Sequence, residues 1–154
     1  MNVVIASDHA GFAMKESLRH WLKEKGVHVE DAGPTDDQRV DYPDFAAKAC
    51  HLLRQGLAHR VVLVCGSGIG MAMAANKVPG CRAVVLHNEW EAEFSRRHND
   101  ANVACFGARS MGPDVVTSCL ERFLKTEFDG GRHADRVGKI GRLDGSIGTQ
   151  ATGE

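Results

Sequence analysis

Apolar residues come in two rhythms along this chain. Short apolar runs at Val3-Val4-Ile5-Ala6, Val61-Val62-Leu63-Val64, Val103-Ala104-Cys105-Phe106 and, after its first residue, Arg82-Ala83-Val84-Val85-Leu86 are the length of strands buried on both faces, and Val27 to Glu30 reads as a further strand. Between them apolar residues recur every three or four positions. Met14, Leu18, Trp21 and Leu22 form one such stripe, ended by Gly26. Phe45, Ala49, Leu52 and Leu53 form a second, entered at Pro43 and closed by Gly56. Val116, Leu120, Phe123 and Leu124 form a third, entered at Pro113. Further helices are expected from the glycine turn through Asn76, from about Glu89 to Arg97 and from about Arg132 to Arg142. Residues 31–42, punctuated by Gly33-Pro34, read as a loop.

Five buried strands alternating with helices predict an α/β fold, a Rossmann-like three-layer α/β/α sandwich around a five-stranded parallel sheet. One domain is expected over residues 1–143, with a small, polar, frayed tail at 144–154. Ligands of such folds bind beyond the carboxyl ends of the strands. Asp8 and His9 follow strand one, Cys65 and Ser67 follow strand three, and Gly107 and Arg109 follow strand five.

Composition narrows the function classes. A net charge of −1 with no block of like charge gives no electrostatic footprint for nucleic acid. No run approaches the roughly 20 apolar residues of a membrane span, and Met1 to Ala6 lacks a basic leader, so a cytoplasmic protein is expected. Five irregularly spaced cysteines without a C-x-x-C pair fit a reducing compartment. Cys50 and Cys119 fall on helical apolar stripes, while Cys81 and Cys105 flank or end strands; all four read as core.

Cys65 differs. It opens directly into Gly66-Ser67-Gly68-Ile69-Gly70, a turn whose backbone N–H groups stabilise negative charge at a thiol or receive an oxyanion. The glycine spacing and mid-chain position do not match a dinucleotide fingerprint. His98 and Asn99 open a polar helix end that also holds Asp100 and Asn102, an imidazole beside amide donors. Arg132 and Arg136 lie one helical turn apart and stack on one face, able to grip a phosphate together. His9 and His133 are further donors, whereas His20, His28, His51, His59 and His87 read as surface residues. No pair has metal-ligand spacing with an acidic third ligand, so neither a metal nor a cofactor is expected.

Taken together, the segments resemble the ribose-5-phosphate isomerase type B family, which includes allose- and galactose-6-phosphate isomerases. The resemblance rests on Ser7-Asp8-His9-Ala10-Gly11-Phe12, Asp41-Tyr42-Pro43, Cys65 to Gly70 with Ala74-Ala75-Asn76-Lys77, Ser95 to Asn102, Phe106-Gly107-Ala108-Arg109 and Gly130-Gly131-Arg132-His133. It implies a metal-independent aldose–ketose isomerase working through an enediolate. Cys65 would move the proton between C2 and C1, Ser67 (a place usually held by threonine) would shuttle protons between oxygens, and His98 with Asp8 would open the sugar ring. Asn99 and the amides of Gly66, Ser67, Gly68, Ile69 and Gly70 would hold the enediolate. His9, Arg109, Arg132 and Arg136 would take the phosphate, and Tyr42 would line the sugar pocket. Some members use a glutamate just after the turn, where this chain has Met71, so it resembles the cysteine type. The resemblance also implies a homodimer or dimer of dimers in which His98 and the arginine helix reach the neighbour's site. Ribose 5-phosphate is the leading substrate; a six-carbon sugar phosphate such as allose 6-phosphate, an inactive sugar-phosphate sensor and a nucleotide-binding module are the alternatives.

Overall fold

The structure, a computed structural model, describes residues 1–145. In chain order it runs β1 (Asn2–Ser7), α1 (Phe12–Glu24), β2 (His28–Gly33), α2 (Tyr42–Arg54), β3 (Arg60–Cys65), α3 (Ile69–Ala75), β4 (Ala83–Val85), α4 (Glu89–Asn99), β5 (Val103–Gly107), α5 (Pro113–Lys125) and α6 (Arg132–Leu143). The five strands form one parallel sheet in the order β2-β1-β3-β5-β4. Side chains alternate between its faces, as the two-residue period of a strand requires. Val4, Ala6, Val61, Leu63, Cys65 and Cys105 pack toward α2 and α3. Val3, Ile5, Val62, Val64, Ala104 and Phe106 pack toward α1, α4 and α5.

Several boundaries differ from the sequence reading. β2 continues to Gly33, so the loop shrinks to residues 34–41. As an edge strand it carries the polar Glu30 and Asp31, which hide it from a search for apolar runs. β5 reaches Gly107, which puts Cys105 inside the strand. At the far end, the Asp144 carboxylate accepts a 2.9 Å hydrogen bond from the Gly80 N–H, so Asp144 belongs to the body. The rest of the expected tail, residues 146–154, lies outside the described residues.

One contact holds the upper ends of β1 and β3 together. The Asp8 N–H donates to the Val64 carbonyl at 3.1 Å. A Cβ on Gly11 would come within 2.4 Å of that same carbonyl oxygen, so only glycine lets α1 begin this close to β3.

Lys15 is the largest departure from the amphipathic pattern: a lysine in the first turns of α1 with no exposed surface. Its ammonium donates to both Asp31 oxygens at 2.9 and 2.8 Å and to the Pro34 carbonyl at 2.8 Å. Three acceptors for three N–H groups is full satisfaction, which a buried cation requires. Replacing Asp31 with Ala leaves the ammonium only the Pro34 carbonyl and the Glu16 carboxylate, 3.0 Å away. A loss of about 3 kcal/mol is expected in urea unfolding, the lower end of what breaking a buried pair costs, because Glu16 remains and Asp31 is partly exposed.

Candidate active site

β1 leads to β2 on one side and, through α2, back across to β3 on the other. The chain thus reverses direction between β1 and β3, with α1 and α2 on opposite faces of the sheet. This leaves a crevice beyond their carboxyl ends, the usual ligand position of open α/β sheets. Asp8, His9, Cys65 and Ser67 all leave the sheet there.

Cys65 is 5% exposed, and its Sγ accepts a hydrogen bond from the Gly68 N–H at 3.1 Å. Gly68 has φ +78°, the left-handed conformation that turns this N–H back onto the sulfur. The exposed Ser67 hydroxyl accepts from the Ile69 N–H at 3.3 Å. The turn rests on the end of β5: a Cβ on Gly107 would lie 2.8 Å from the Ser67 carbonyl. The Arg109 N–H donates to the Gly66 carbonyl at 3.0 Å, and its side chain lies across the same glycine. Asp8 is buried, with Oδ1 accepting from the Gly11 N–H at 2.9 Å. His9 Nδ1 lies 3.3 Å from the Val40 carbonyl oxygen. The Tyr42 ring lies over Gly70, close enough that a Cβ there would be 2.8 Å away. Met71 points elsewhere, fully buried in the core.

His98, Asn99, Arg132 and Arg136 are not in this group. α4 runs from the carboxyl end of β4 to the amino end of β5, so its last turn sits at the opposite end of the sheet from Cys65. The five residues of β5 separate the two ends by roughly 15 Å at the usual strand rise. α6 begins at that lower corner, where the Arg97 carbonyl accepts from the Asp129 N–H at 3.0 Å, and it packs on α4. Arg132 and Arg136 are exposed there.

Two of the polar residues that close α4 turn out to be structural. Asp100, with φ 45°, caps the helix and binds Arg96 at 2.7 Å and Arg82 at 2.8 Å. Asn102 accepts from the Arg82 N–H at 2.7 Å and donates to the Gly80 carbonyl at 2.9 Å. Asn99 is left exposed and His98 partly exposed.

The fold also supplies what spacing alone concealed, an acidic neighbour for two histidines. Ligating atoms of His98, Asp129 and His133 lie within 4.8 Å of one another, which corrects the expectation that no such group exists. Its geometry does not suit a metal. The two imidazoles stack at 4.2 Å and 5°, so their nitrogen lone pairs run side by side instead of converging. Both Asp129 oxygens are bound to Arg97, at 3.1 and 3.2 Å, and this guanidinium holds the carboxyl below its ordinary range. The remaining thiols are all buried, and burial raises Cys105 and pushes Cys119 up to about 11. Among the described residues no helix is long and apolar enough to cross a membrane.

A crevice at a sheet reversal, holding a buried thiol, a hydroxyl and a nearby guanidinium, is the layout of a small-molecule enzyme. Comparison with known proteins gives the class. The sequence model of the Ribose/Galactose Isomerase family matches residues 3–140, and the chain belongs to that family. Ribose-5-phosphate isomerase B of Escherichia coli K12 is 37% identical over 142 residues, 92% of this chain and 95% of that one. Ribose-5-phosphate isomerase B of Clostridium thermocellum superposes with a TM-score of 0.93 at 44% identity, covering 95% of this chain and 99% of its own. The type B enzyme of Trypanosoma cruzi gives 0.91 at 41% identity, covering 96% and 100%.

The contact of Tyr42 with Gly70 had no signal in the sequence, because the two are brought together only when α2 crosses the sheet. Gly70→Ala should push the ring aside while the half-exposed tyrosine swings into solvent. In steady-state kinetics KM for sugar phosphate should rise several-fold. The melting temperature should move by less than about 4 °C, as a change below about 1 kcal/mol implies.

Proposed function

We propose that this protein interconverts ribose 5-phosphate and ribulose 5-phosphate through an enediolate, with Cys65 as the base. The observation that carries the reading is the Gly68 N–H aimed at a nearly enclosed Cys65 sulfur beside the open crevice. The thiolate takes the proton from C2 of the open-chain aldose. The electrons move into the C1–C2 bond, the C1 carbonyl becomes an oxyanion, and the returned proton at C1 completes the ketose. The Ser67 hydroxyl carries a proton between O2 and O1. His98, helped by Asp8, opens the furanose by protonating the ring oxygen while the anomeric hydroxyl gives up its proton.

The proton on a carbon beside a carbonyl is very weakly acidic, so the developing enediolate sets the barrier. Fixed donors aimed at such an oxyanion are each worth about 10²–10³ in rate, and general acid–base transfer roughly 10²–10⁴. The amides of residues 66–70 and Asn99 supply the first, and Cys65 the second. His9, Arg109, Arg132 and Arg136 hold the phosphate, whose binding energy positions the reacting carbons. Tyr42 lines the sugar pocket. No step in this scheme calls for a metal or cofactor.

A single chain keeps His98, Asn99, Arg132 and Arg136 at the far end of the sheet from Cys65, so the reading requires a homodimer in which each chain completes its partner's site. α6 supports this: it packs on α4, while Ile140 and Leu143 on it are exposed.

A coupled turnover assay across four-, five- and six-carbon aldose phosphates, with EDTA present, tests the substrate and metal independence together. The family description includes galactose as well as ribose, and the assay ranks a six-carbon sugar directly. Cys65→Ala should lower kcat at least about 10²-fold with KM little changed, the scale of a lost general base; near-normal turnover would remove Cys65 from the chemistry. Mixed and refolded together, Cys65→Ala and His98→Ala chains should recover about a quarter of wild-type activity. Random pairing in a two-fold dimer leaves one intact composite site in half the dimers. Sites contained within single chains would give no recovery.

A further inference from the structure

We infer that His133 is a positioning residue for His98: its ring, stacked flat on the His98 imidazole, fixes the orientation of the group assigned to sugar-ring opening. The inference rests on that assignment and adds to it a residue that acts through His98.

The geometry is specific. The His98 and His133 rings are 4.2 Å apart and 5° from parallel, while the edge of Phe94 meets the His98 ring at 4.9 Å and 76°. Phe94 is itself stacked on Trp90 at 4.7 Å. An imidazole held on one face by a flat ring and along another side by an edge has lost the rotations about χ1 and χ2 that would scatter its proton. Orientation of this kind separates an effective acid–base group from an exposed histidine. His98 is partly exposed while His133 is 8% exposed, so the buried ring is the fixed platform and the outer ring the working one.

The charges around the pair suit that division. His133 lies in the first turn of α6, where a cation is disfavoured by the helix dipole. Burial, His98, Arg132 and Arg136 all hold it below the ordinary histidine range, with Asp129 opposing them. It therefore stacks as a neutral ring. His98 lies in the last turn of α4 with Asp129 Oδ2 at 4.0 Å from Nε2, and Asp129 is anchored by Arg97, which also binds Glu93 at 3.2 Å. Proton exchange is left to His98.

Two variants and two substrates test this. Ribose 5-phosphate is largely cyclic. Erythrose 4-phosphate cannot close a furanose, because its phosphate occupies the oxygen that would form the ring. The readout is the ratio of kcat/KM for the five-carbon substrate to that for the four-carbon one. His133→Ala should lower this ratio about tenfold, part of the roughly 10²–10⁴ available to acid–base catalysis, and His133→Phe, a flat ring without nitrogen, should restore it to within about threefold. An unchanged ratio in His133→Ala overturns the inference. So does a His133→Phe variant no better than His133→Ala, which would show that a ring nitrogen is what matters. His98→Asn, measured alongside, separates the two levels: if it leaves the ratio unchanged, the ring-opening role of His98 itself fails. Wild-type protein gives a check that needs no variant to fold. NMR should show cross-relaxation between the His98 and His133 ring protons, with His133 titrating below the ordinary histidine value, and absence of either result refutes the stack.

Discussion

The pairing of β1 with β3 is the constraint on which this molecule depends. It sets two loops from distant parts of the sequence beside each other, one carrying Asp8 and His9, the other Cys65 and Ser67. The hydrogen bond from the Asp8 N–H to the Val64 carbonyl closes the seam, and the absence of a side chain at Gly11 allows it. Parallel strands need a helical crossover, and the crossover from β1 to β2 and the one from β2 to β3 lie on opposite faces, which opens the crevice above the seam. Topology sets the surroundings of the thiol: at the end of a central strand it is almost wholly buried, and the Gly68 N–H reaches its sulfur.

A second, independent anchor holds the opposite corner. Arg96 is 2% exposed, yet its guanidinium reaches Asp100 at 2.7 Å, the Ala101 carbonyl at 2.6 Å and the Thr126 carbonyl at 3.3 Å. These three hydrogen bonds, one of them to a carboxylate, offset the cost of burying the cation. The result ties the end of α4 to the segment that leads into α6, and so fixes where His98 and the arginine helix stand relative to each other. Asp100 adds to the same anchor through its left-handed helix cap, which faces Arg96 and Arg82 at once.

These two corners are rigid for different reasons. The upper one is held by backbone contact and glycine; the lower one by buried charge, stacking and capping. Neither corner of one chain can move to meet the other without breaking the sheet that joins them. In the proposed homodimer, composite sites would follow from this geometry, with the lower corner of one copy meeting the upper corner of the other.

Much of this was legible in the residues themselves. Strand and helix periods follow directly from where apolar side chains can be buried, so five strands, their alternation with helices and the parallel sheet were all readable. Cys65 with its glycine turn was readable as well, because φ > 0 and a close backbone approach both demand glycine at fixed places. β2 was underestimated because an edge strand buries one face only and so carries Glu30 and Asp31. Lys15, outside the apolar stripe of α1, is enclosed by Asp31 and Pro34, partners whose position only the folded sheet fixes. The same holds for Tyr42 over Gly70 and for His98 against His133: each pair meets across a crossover, and local spacing carries no information about that. The amino-acid order thus determined which elements form and which side chains are available for chemistry. The tertiary structure alone decided which of those groups share one cleft, because distances between elements arise from packing, and packing is a property of the whole chain.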